Sequence, residues 1–281
     1  MRPPLLVVGP GGAGALGPVR GGLVGAGSSP PPDPAPPLDS LAARWRFGRL
    51  ASLFQDHDGT TPVASPGDPV GRVVDEIGGH DLVQTTNAAR PTYQTNLGPG
   101  GALGGVHLVA NTALDGLDTL ASGLVSTTYL IGKVSSESVF LSRSGGSTGT
   151  SIATEYAYYA PSPPSDALKV NRGIQTTIAG VAGQFPTSAY GVFCFAVDAS
   201  DAGAGDTAAS YLDGTLKASF AGDLGNANLT AYLSVNTYQR GGTAYSGNVD
   251  VLEVLVYHAA HGPTERAAVQ AYAAAAYGTP P

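Results

Sequence analysis

Glycine and proline interrupt the apolar stretches of this chain so often that long helices have little room to form. The 281 residues include 40 Gly and 22 Pro, while charged residues make up only 12%. Glycine and proline mark turns, and a low charge content leaves few of the Glu–Lys pairs that stabilise exposed helices. The sequence therefore predicts many short strands joined by tight turns.

The apolar runs after Leu38 have the length and alternation of strands. In the segment 190–197 both alternating sets of residues are apolar, which predicts a central strand buried on both faces, with Cys194 as a buried and unreactive thiol. Asp213-Gly214 stands between two apolar-rich segments and predicts a hairpin with a two-residue turn. No repeated strand–helix pattern indicates a parallel α/β sheet. We therefore predict an all-β fold, an antiparallel β-sandwich.

One helix is predicted at the C-terminal end of the chain. Pro263 suits the first helical position, and Gly278 followed by Pro280 provides a stop. Residues that recur at helical spacing should face the sheet. They are Val269, Tyr272, Ala273 and Ala276.

The first 37 residues differ in composition from the rest of the chain. Segment 9–27 contains nine glycines, and segment 28–37 contains six prolines. Such segments are flexible or extended and cannot bury a core of their own. We predict that residues 1–37 form an extended Gly/Pro-rich anchoring arm and that residues 38–281 form one β-sandwich domain. The arm is expected to bind neighbouring subunits, which also predicts a homo-oligomer.

Charge and hydropathy argue against two kinds of partner. The 14 basic and 21 acidic residues give a net charge of −7, and the basic residues form no run, so no nucleic-acid surface is expected. The apolar patch Leu5–Val8 ends after four residues at Gly9-Pro10, too short for a secretory signal or a membrane span. We therefore expect synthesis in the cytoplasm, no secretory signal and no membrane partner.

Three parts of the chain carry a resemblance to a known family. They are the opening segment 54–93, the hairpin at Asp213-Gly214 and the closing segment 254–278. The opening motifs are Phe54-Gln55-Asp56, Gly67-Asp68-Pro69, Gly78-Gly79-His80 and Ala89-Arg90-Pro91. Together these motifs resemble laminin-G/concanavalin-A-like jelly-roll modules of bacteriophage and prophage virion proteins. The resemblance implies that the sandwich of residues 38–281 is a lectin-like jelly roll.

The resemblance implies a structural protein of the virion, in a tail fibre, a tail tip or a capsid decoration. The arm would anchor the chain to other virion proteins through residues 1–37. The jelly roll would face outward and bind a host-surface glycan or a neighbouring subunit. Two alternatives stay open, a carbohydrate-active enzyme that hydrolyses glycans and a bacterial surface adhesin.

The sequence predicts no enzymatic activity, because neither of two catalytic patterns is complete. A glycosidase needs two carboxylates that face one cleft. Asp250 and Glu253 lie three residues apart on the predicted last strand, so they are expected to point to opposite faces. Gly145–Gly149 fits the G-x-S-x-G pattern of a hydrolase nucleophile, but the helix that must follow is missing.

No cofactor is predicted, although a calcium ion is compatible with one loop. Gly9–Gly14 matches the G-x-G-x-x-G pattern, but the glycines and prolines that follow cannot form the helix that a dinucleotide requires. Asp56 and Asp58 precede a turn glycine, Gly59, and carboxylates in such turns are ligands that calcium prefers.

Aromatic side chains are the predicted glycan-binding residues. A flat ring with a polar tip can pack on the face of a sugar and hydrogen-bond its hydroxyl groups. Ordinary cross-strand pairing of tyrosines is the alternative explanation for the same pattern. The candidates are Tyr156, Tyr158, Tyr159, Tyr238, Arg240 and Tyr245.

Overall fold

Short antiparallel strands make up most of the structure, as the spacing of glycine and proline predicts. The computed structural model describes residues 34–116, 120–121, 125–135, 139–144, 154–159, 170–172, 176–178, 189–198, 200, 205–222, 230–236, 238–240, 243–245 and 247–281. Nearly all of the predicted arm, residues 1–37, lies outside these ranges, as does the loop Gly145–Gly149. The arm and the partners assigned to it therefore stay predictions.

Twenty strands and one α-helix lie within the described ranges. The strands are β1 (Leu41–Arg46), β2 (Leu53–Phe54), β3 (Arg72–Val73), β4 (Leu82–Val83), β5 (Thr92–Leu97), β6 (Leu103–Leu108), β7 (Leu114–Gly116), β8 (Leu120–Ala121), β9 (Val125–Val134), β10 (Val139–Ser144), β11 (Thr154–Tyr159), β12 (Val170–Arg172), β13 (Thr176–Ile178), β14 (Gly191–Asp198), β15 (Thr207–Leu212), β16 (Thr215–Ala221), β17 (Thr230–Val235), β18 (Tyr238–Arg240), β19 (Thr243–Tyr245) and β20 (Val249–Tyr257). The helix α1 spans Pro263–Tyr277, and the segments Leu50–Ser52 and Asn87–Ala89 each form a turn of 3-10 helix.

Two large sheets contain most of these strands. Sheet A has the order β16-β15-β14-β9-β20-β6-β5, and β1 also pairs with β20. Sheet B has the order β11-β10-β17-β7-β4-β3-β2, and β8 also pairs with β17. Strands β12 and β13 pair with each other, and so do β18 and β19. The prediction of an antiparallel β-sandwich that ends in one helix is confirmed.

The main core lies between the two sheets. Strands alternate their side chains between two faces, so every second residue of a strand in either sheet can enter this layer. Burying each large apolar side chain contributes roughly 1.5–3 kcal/mol. The buried members of this core include Trp45, Phe47, Leu53, Leu82, Leu114, Phe193 and Val254.

A second apolar layer lies between the outer face of sheet A, which is turned away from sheet B, and helix α1. Val269, Tyr272 and Ala273 of the helix are buried here against side chains of β9, β14 and β20. The helix ends as predicted at Gly278, whose φ of 69° lies in the left-handed region that favours glycine. No helix in the described ranges combines the length and the apolar character needed to cross a membrane.

Cys194 lies in this second layer and should be almost inert towards thiol reagents in the folded protein. The side chain is buried, and burial raises the pKa of the thiol to about 12. Because the thiolate is the reactive form, we expect native labelling by a disulfide reagent to be about 1,000-fold slower than labelling in denaturant. Labelling of the folded protein at the rate of a free cysteine would contradict the buried position of β14.

Candidate functional site

A row of polar side chains crosses the outer face of sheet A. His107 on β6 and Lys133 on β9 both lie opposite Asp250 of β20, one on each side. Tyr190, directly before β14, donates its hydroxyl hydrogen to Asp250. We refer to His107, Lys133, Tyr190 and Asp250 as the Asp250 cluster. The pairing of the strands thus brings together side chains that lie 60 to 143 positions from Asp250 in the sequence.

A β-bulge in β20 decides which carboxylates share this face. Val251 enters the core between the sheets, and its neighbour Asp250 therefore faces outward. The pairing with β9 shifts between Val251 and Glu253, so Leu252 is an extra residue. Leu252 and Glu253 both contact the helix side of the sheet. The prediction that Asp250 and Glu253 point to opposite faces is wrong, because it assumed an unbroken strand.

Three donors hold the Asp250 carboxylate in place. The His107 Nδ1 atom lies 2.6 Å from Oδ1, while the Lys133 Nζ and Tyr190 hydroxyl lie 3.0 and 2.9 Å from Oδ2. Burial of the carboxyl would raise its pKa, but these hydrogen bonds and the Lys133 charge outweigh burial and lower the pKa of Asp250. The group is therefore an ionised carboxylate at neutral pH.

The outermost group of the cluster is the His107 imidazole. Its side chain is 36% exposed, and within the described part of the chain no group hydrogen-bonds its Nε2 atom. A carboxylate can only accept a hydrogen bond, so the neutral ring carries its proton on Nδ1 and an open lone pair on Nε2. Lys133 is 26% exposed beside it and lies 5.1 Å from the centre of the Tyr190 ring. The cluster can thus accept a proton from a molecule bound at the surface.

The second carboxylate of this face is sealed beneath the helix. Glu253 is 0% exposed and accepts hydrogen bonds from Arg44 at 2.6 Å, from the Tyr272 hydroxyl at 2.6 Å and from the Tyr277 hydroxyl at 2.8 Å. Burial raises the pKa of Glu253, and the Arg44 charge opposes that rise. Through these hydrogen bonds Glu253 anchors α1 and β1 to the sheet. Because no solvent reaches Glu253, it does not contact a ligand.

Asp115 is a separate carboxyl on the other sheet. It lies on β7, the middle strand of sheet B, opposite Val83 of β4 and Ser234 of β17. Its neighbour Leu114 enters the core, so Asp115 faces away from sheet A. Burial raises the pKa of Asp115, and a hydrogen bond with Ser234 opposes that rise. Asp115 is therefore a candidate proton donor. Asp115 and Asp250 lie on the outer faces of different sheets, so they cannot act on the same bond of one substrate.

The two predicted calcium residues have other partners in the structure. Asp56 accepts hydrogen bonds from the backbone N–H groups of Thr60 and Thr61 at 2.9 and 2.7 Å, which lowers its pKa and closes the turn. Asp58 is exposed, with its Oδ1 atom 3.2 Å from His57 Nε2. Among the described residues no three His, Cys, Asp or Glu side chains form a group that could hold a metal. Calcium at this loop stays a prediction.

The predicted glycan-binding aromatics lie on strands whose side chains fall outside the described part of the structure. Tyr156, Tyr158 and Tyr159 belong to β11, an edge strand of sheet B. Tyr238 of β18 pairs with Tyr245 of β19. Arg240 ends β18. These six residues stay predictions, and none of them belongs to the Asp250 cluster.

The fold is shared with solved structures of glycoside hydrolases. No protein-family model matches the chain, and no curated protein matches it. A mutant GH54 α-L-arabinofuranosidase soaked with 4-nitrophenyl α-L-arabinofuranoside has a TM-score of 0.54 at 11% identity, over 85% of this chain and 60% of that chain. An arabinofuranosidase complexed with arabinofuranosyl-α-1,2-xylobiose has a TM-score of 0.53, with the same identity and coverage. This chain thus spans less than two thirds of their length, and the likeness shows the fold.

These comparisons correct the prediction of a protein without enzymatic activity. The prediction rested on a lectin-like fold and on the lack of paired carboxylates along one strand. The same sandwich occurs in arabinofuranosidases, so the fold does not argue against catalysis. The pattern of carboxylates along single strands does not indicate the Asp250 cluster, because its members come from separate strands. The resemblance to phage virion modules stays a prediction.

The pH dependence of stability tests the state of Asp250. Its folded pKa is lowered, so its ionised form stabilises the protein above the unfolded value of about 3.9 and loses that effect as the pH falls through the folded pKa. We expect Asp250→Asn to be less stable than the wild type at pH 7, with the difference shrinking below about pH 4. Urea unfolding of both proteins across this pH range measures the difference in their free energies of unfolding. A difference that grows on acidification would contradict the lowered pKa of Asp250.

Proposed function

We propose that this chain is a carbohydrate-active protein that hydrolyses glycosidic bonds at the Asp250 cluster. The observation that carries the proposal is an ionised carboxylate, Asp250, which holds a partly exposed imidazole on the outer face of a β-sandwich. Hydrolysis needs a group that accepts a proton at the reacting centre, and His107 presents an open nitrogen to the surface.

The fold comparisons support the choice of substrate class. One of the two arabinofuranosidases was soaked with 4-nitrophenyl α-L-arabinofuranoside, and the other is complexed with arabinofuranosyl-α-1,2-xylobiose. Arabinofuranosides are therefore the first substrates to test, with other pentosides and hexosides beside them. The Asp250 cluster is a suitable place for a sugar, because Lys133 and His107 offer polar contacts to hydroxyl groups at the rim.

The proposal is tested by hydrolysis of a panel of 4-nitrophenyl glycosides and arabinofuranosyl-xylooligosaccharides. We expect the wild type to release sugar from at least one substrate, and Asp250→Asn to lower kcat/KM by at least about 100-fold. Asp39→Asn is the matched control, because Asp39 is exposed in the turn before β1 and the substitution changes the same charge. Its activity should equal that of the wild type.

Two results would overturn the proposed function. One is a lack of hydrolysis by the folded wild type across the whole panel. The other is an Asp250→Asn variant that keeps wild-type activity. Circular dichroism of each variant establishes that a loss of activity does not come from a loss of fold.

A further inference from the structure

We infer that His107 is the catalytic base of this site and that Asp250 is the residue that positions it. The inference rests on the proposed function and assigns its proton transfer. The juxtaposition behind it is an imidazole with one nitrogen bound to a fixed carboxylate and the other nitrogen open at the surface.

The sheet register fixes the imidazole as well as the carboxylate. His107 and Asp250 are direct partners across β6 and β20, and the short 2.6 Å contact lies between their side chains on one face. Asp250 has its other oxygen bound to Lys133 and Tyr190, so it cannot rotate away without losing both. The carboxylate thus selects the Nδ1–H tautomer of His107 and leaves Nε2 as the acceptor.

The side chains near the His107 imidazole differ in charge. Asp250 stabilises the imidazolium that forms when Nε2 takes a proton. The Lys133 ammonium limits that effect, because it neutralises part of the same carboxylate. Thr92 of β5 is the cross-strand neighbour on the other side of His107, and it carries no charge. His107 and Asp250 therefore resemble a catalytic base and the carboxylate that orients it. In a purely structural ion pair we would expect both ring nitrogens to have protein partners.

The proposed step balances as a direct displacement. A water molecule bonded to Nε2 gives that nitrogen a proton as its oxygen attacks the anomeric carbon. The bond from this carbon to the glycosidic oxygen breaks, and the electron pair stays on the leaving oxygen, which takes a proton from solvent water. The hydroxide ion that remains removes the proton from Nε2, which restores the neutral His107. Because water attacks directly and no covalent intermediate forms, the product has the opposite anomeric configuration.

The tautomer of His107 can be measured without any substrate. The protein has five histidines, so ¹⁵N-histidine labelling gives few signals, and His107→Gln identifies those of residue 107 by their loss. We expect Nδ1 to be protonated and Nε2 unprotonated in the neutral ring of the wild type. In Asp250→Asn we expect this preference to be lost, because an amide no longer demands a donor from Nδ1. An Nε2–H ring in the wild type, or a tautomer unchanged by Asp250→Asn, would overturn the positioning role.

Kinetics and product analysis test the catalytic role separately. We expect His107→Gln to lower kcat by about 10²- to 10⁴-fold with a smaller change in KM. Added imidazole should restore part of the activity to His107→Gly. Proton NMR of the first product should show the inverted anomer. A retained anomer, or full activity in His107→Gln, would overturn His107 as the base while leaving the proposed hydrolysis intact, whereas an inactive wild type would overturn the proposed function itself.

Discussion

Replacing Glu253 by alanine is expected to destabilise the protein by about 3–5 kcal/mol, because a buried arginine loses its nearest counter-charge and keeps only the longer 3.7 Å contact with Glu76. Glu253 binds Arg44 of β1 at 2.6 Å and the hydroxyls of Tyr272 and Tyr277 of α1. Burial disfavours the charge on Arg44, but the Glu253 carboxylate outweighs it and raises the pKa of the guanidinium. The free energy of unfolding, measured in urea, reports the loss.

Two further variants separate the buried charge from the lost packing. The double variant Arg44→Met with Glu253→Met removes both charges, so we expect it to be more stable than Glu253→Ala alone. Glu265→Gln changes the same charge at an exposed position in the first turn of α1 and should cost less than about 1 kcal/mol. Substitutions at the surface usually change the free energy of unfolding by less than about 1 kcal/mol. A change as small as this in Glu253→Ala would contradict the role of Glu253 in anchoring α1 and β1.

Trp45→Ala is expected to lower the free energy of unfolding by about 3–5 kcal/mol, because it removes the largest side chain of the main core and leaves a cavity. Trp45 lies on β1, is fully buried, and donates its indole N–H to the carbonyl oxygen of His80 at 2.8 Å. Trp45→Phe keeps much of the volume and loses this hydrogen bond, so it should cost about 1–3 kcal/mol. Circular dichroism in urea measures both variants.

The matched control for the tryptophan is an exposed leucine a few residues earlier. Leu38 is 65% exposed, and Leu38→Ala should change stability by less than about 0.5 kcal/mol. Equal effects of Trp45→Ala and Leu38→Ala on stability would mean that the Trp45 side chain does not enter the core between the sheets. The core assignment would then be wrong.

Local patterns in the sequence predicted the architecture well. Alternating apolar residues predicted the doubly buried strand β14, and Asp213-Gly214 predicted the hairpin between β15 and β16, where both residues have positive φ. Pro263 and Gly278 predicted both ends of α1. These features depend on a few neighbouring residues, so the sequence alone carries them.

The site could not be predicted because its geometry depends on distant pairing. The bulge at Leu252 arises from the register between β20 and β9, and nothing within β20 indicates it. His107 and Asp250 are 143 residues apart. The available signal was a polar residue between two apolar ones, Val106-His107-Leu108 and Val249-Asp250-Val251. Any outward-facing residue of a half-buried strand gives the same pattern, so the signal does not single out a site.

A crystal structure of the Asp250→Asn variant soaked with an arabinofuranosyl-xylooligosaccharide tests the central claim most directly. We expect the sugar on the outer face of sheet A, within hydrogen-bond distance of His107 Nε2 and next to Lys133. A sugar bound instead on the outer face of sheet B beside Asp115, with the Asp250 cluster empty, would contradict it.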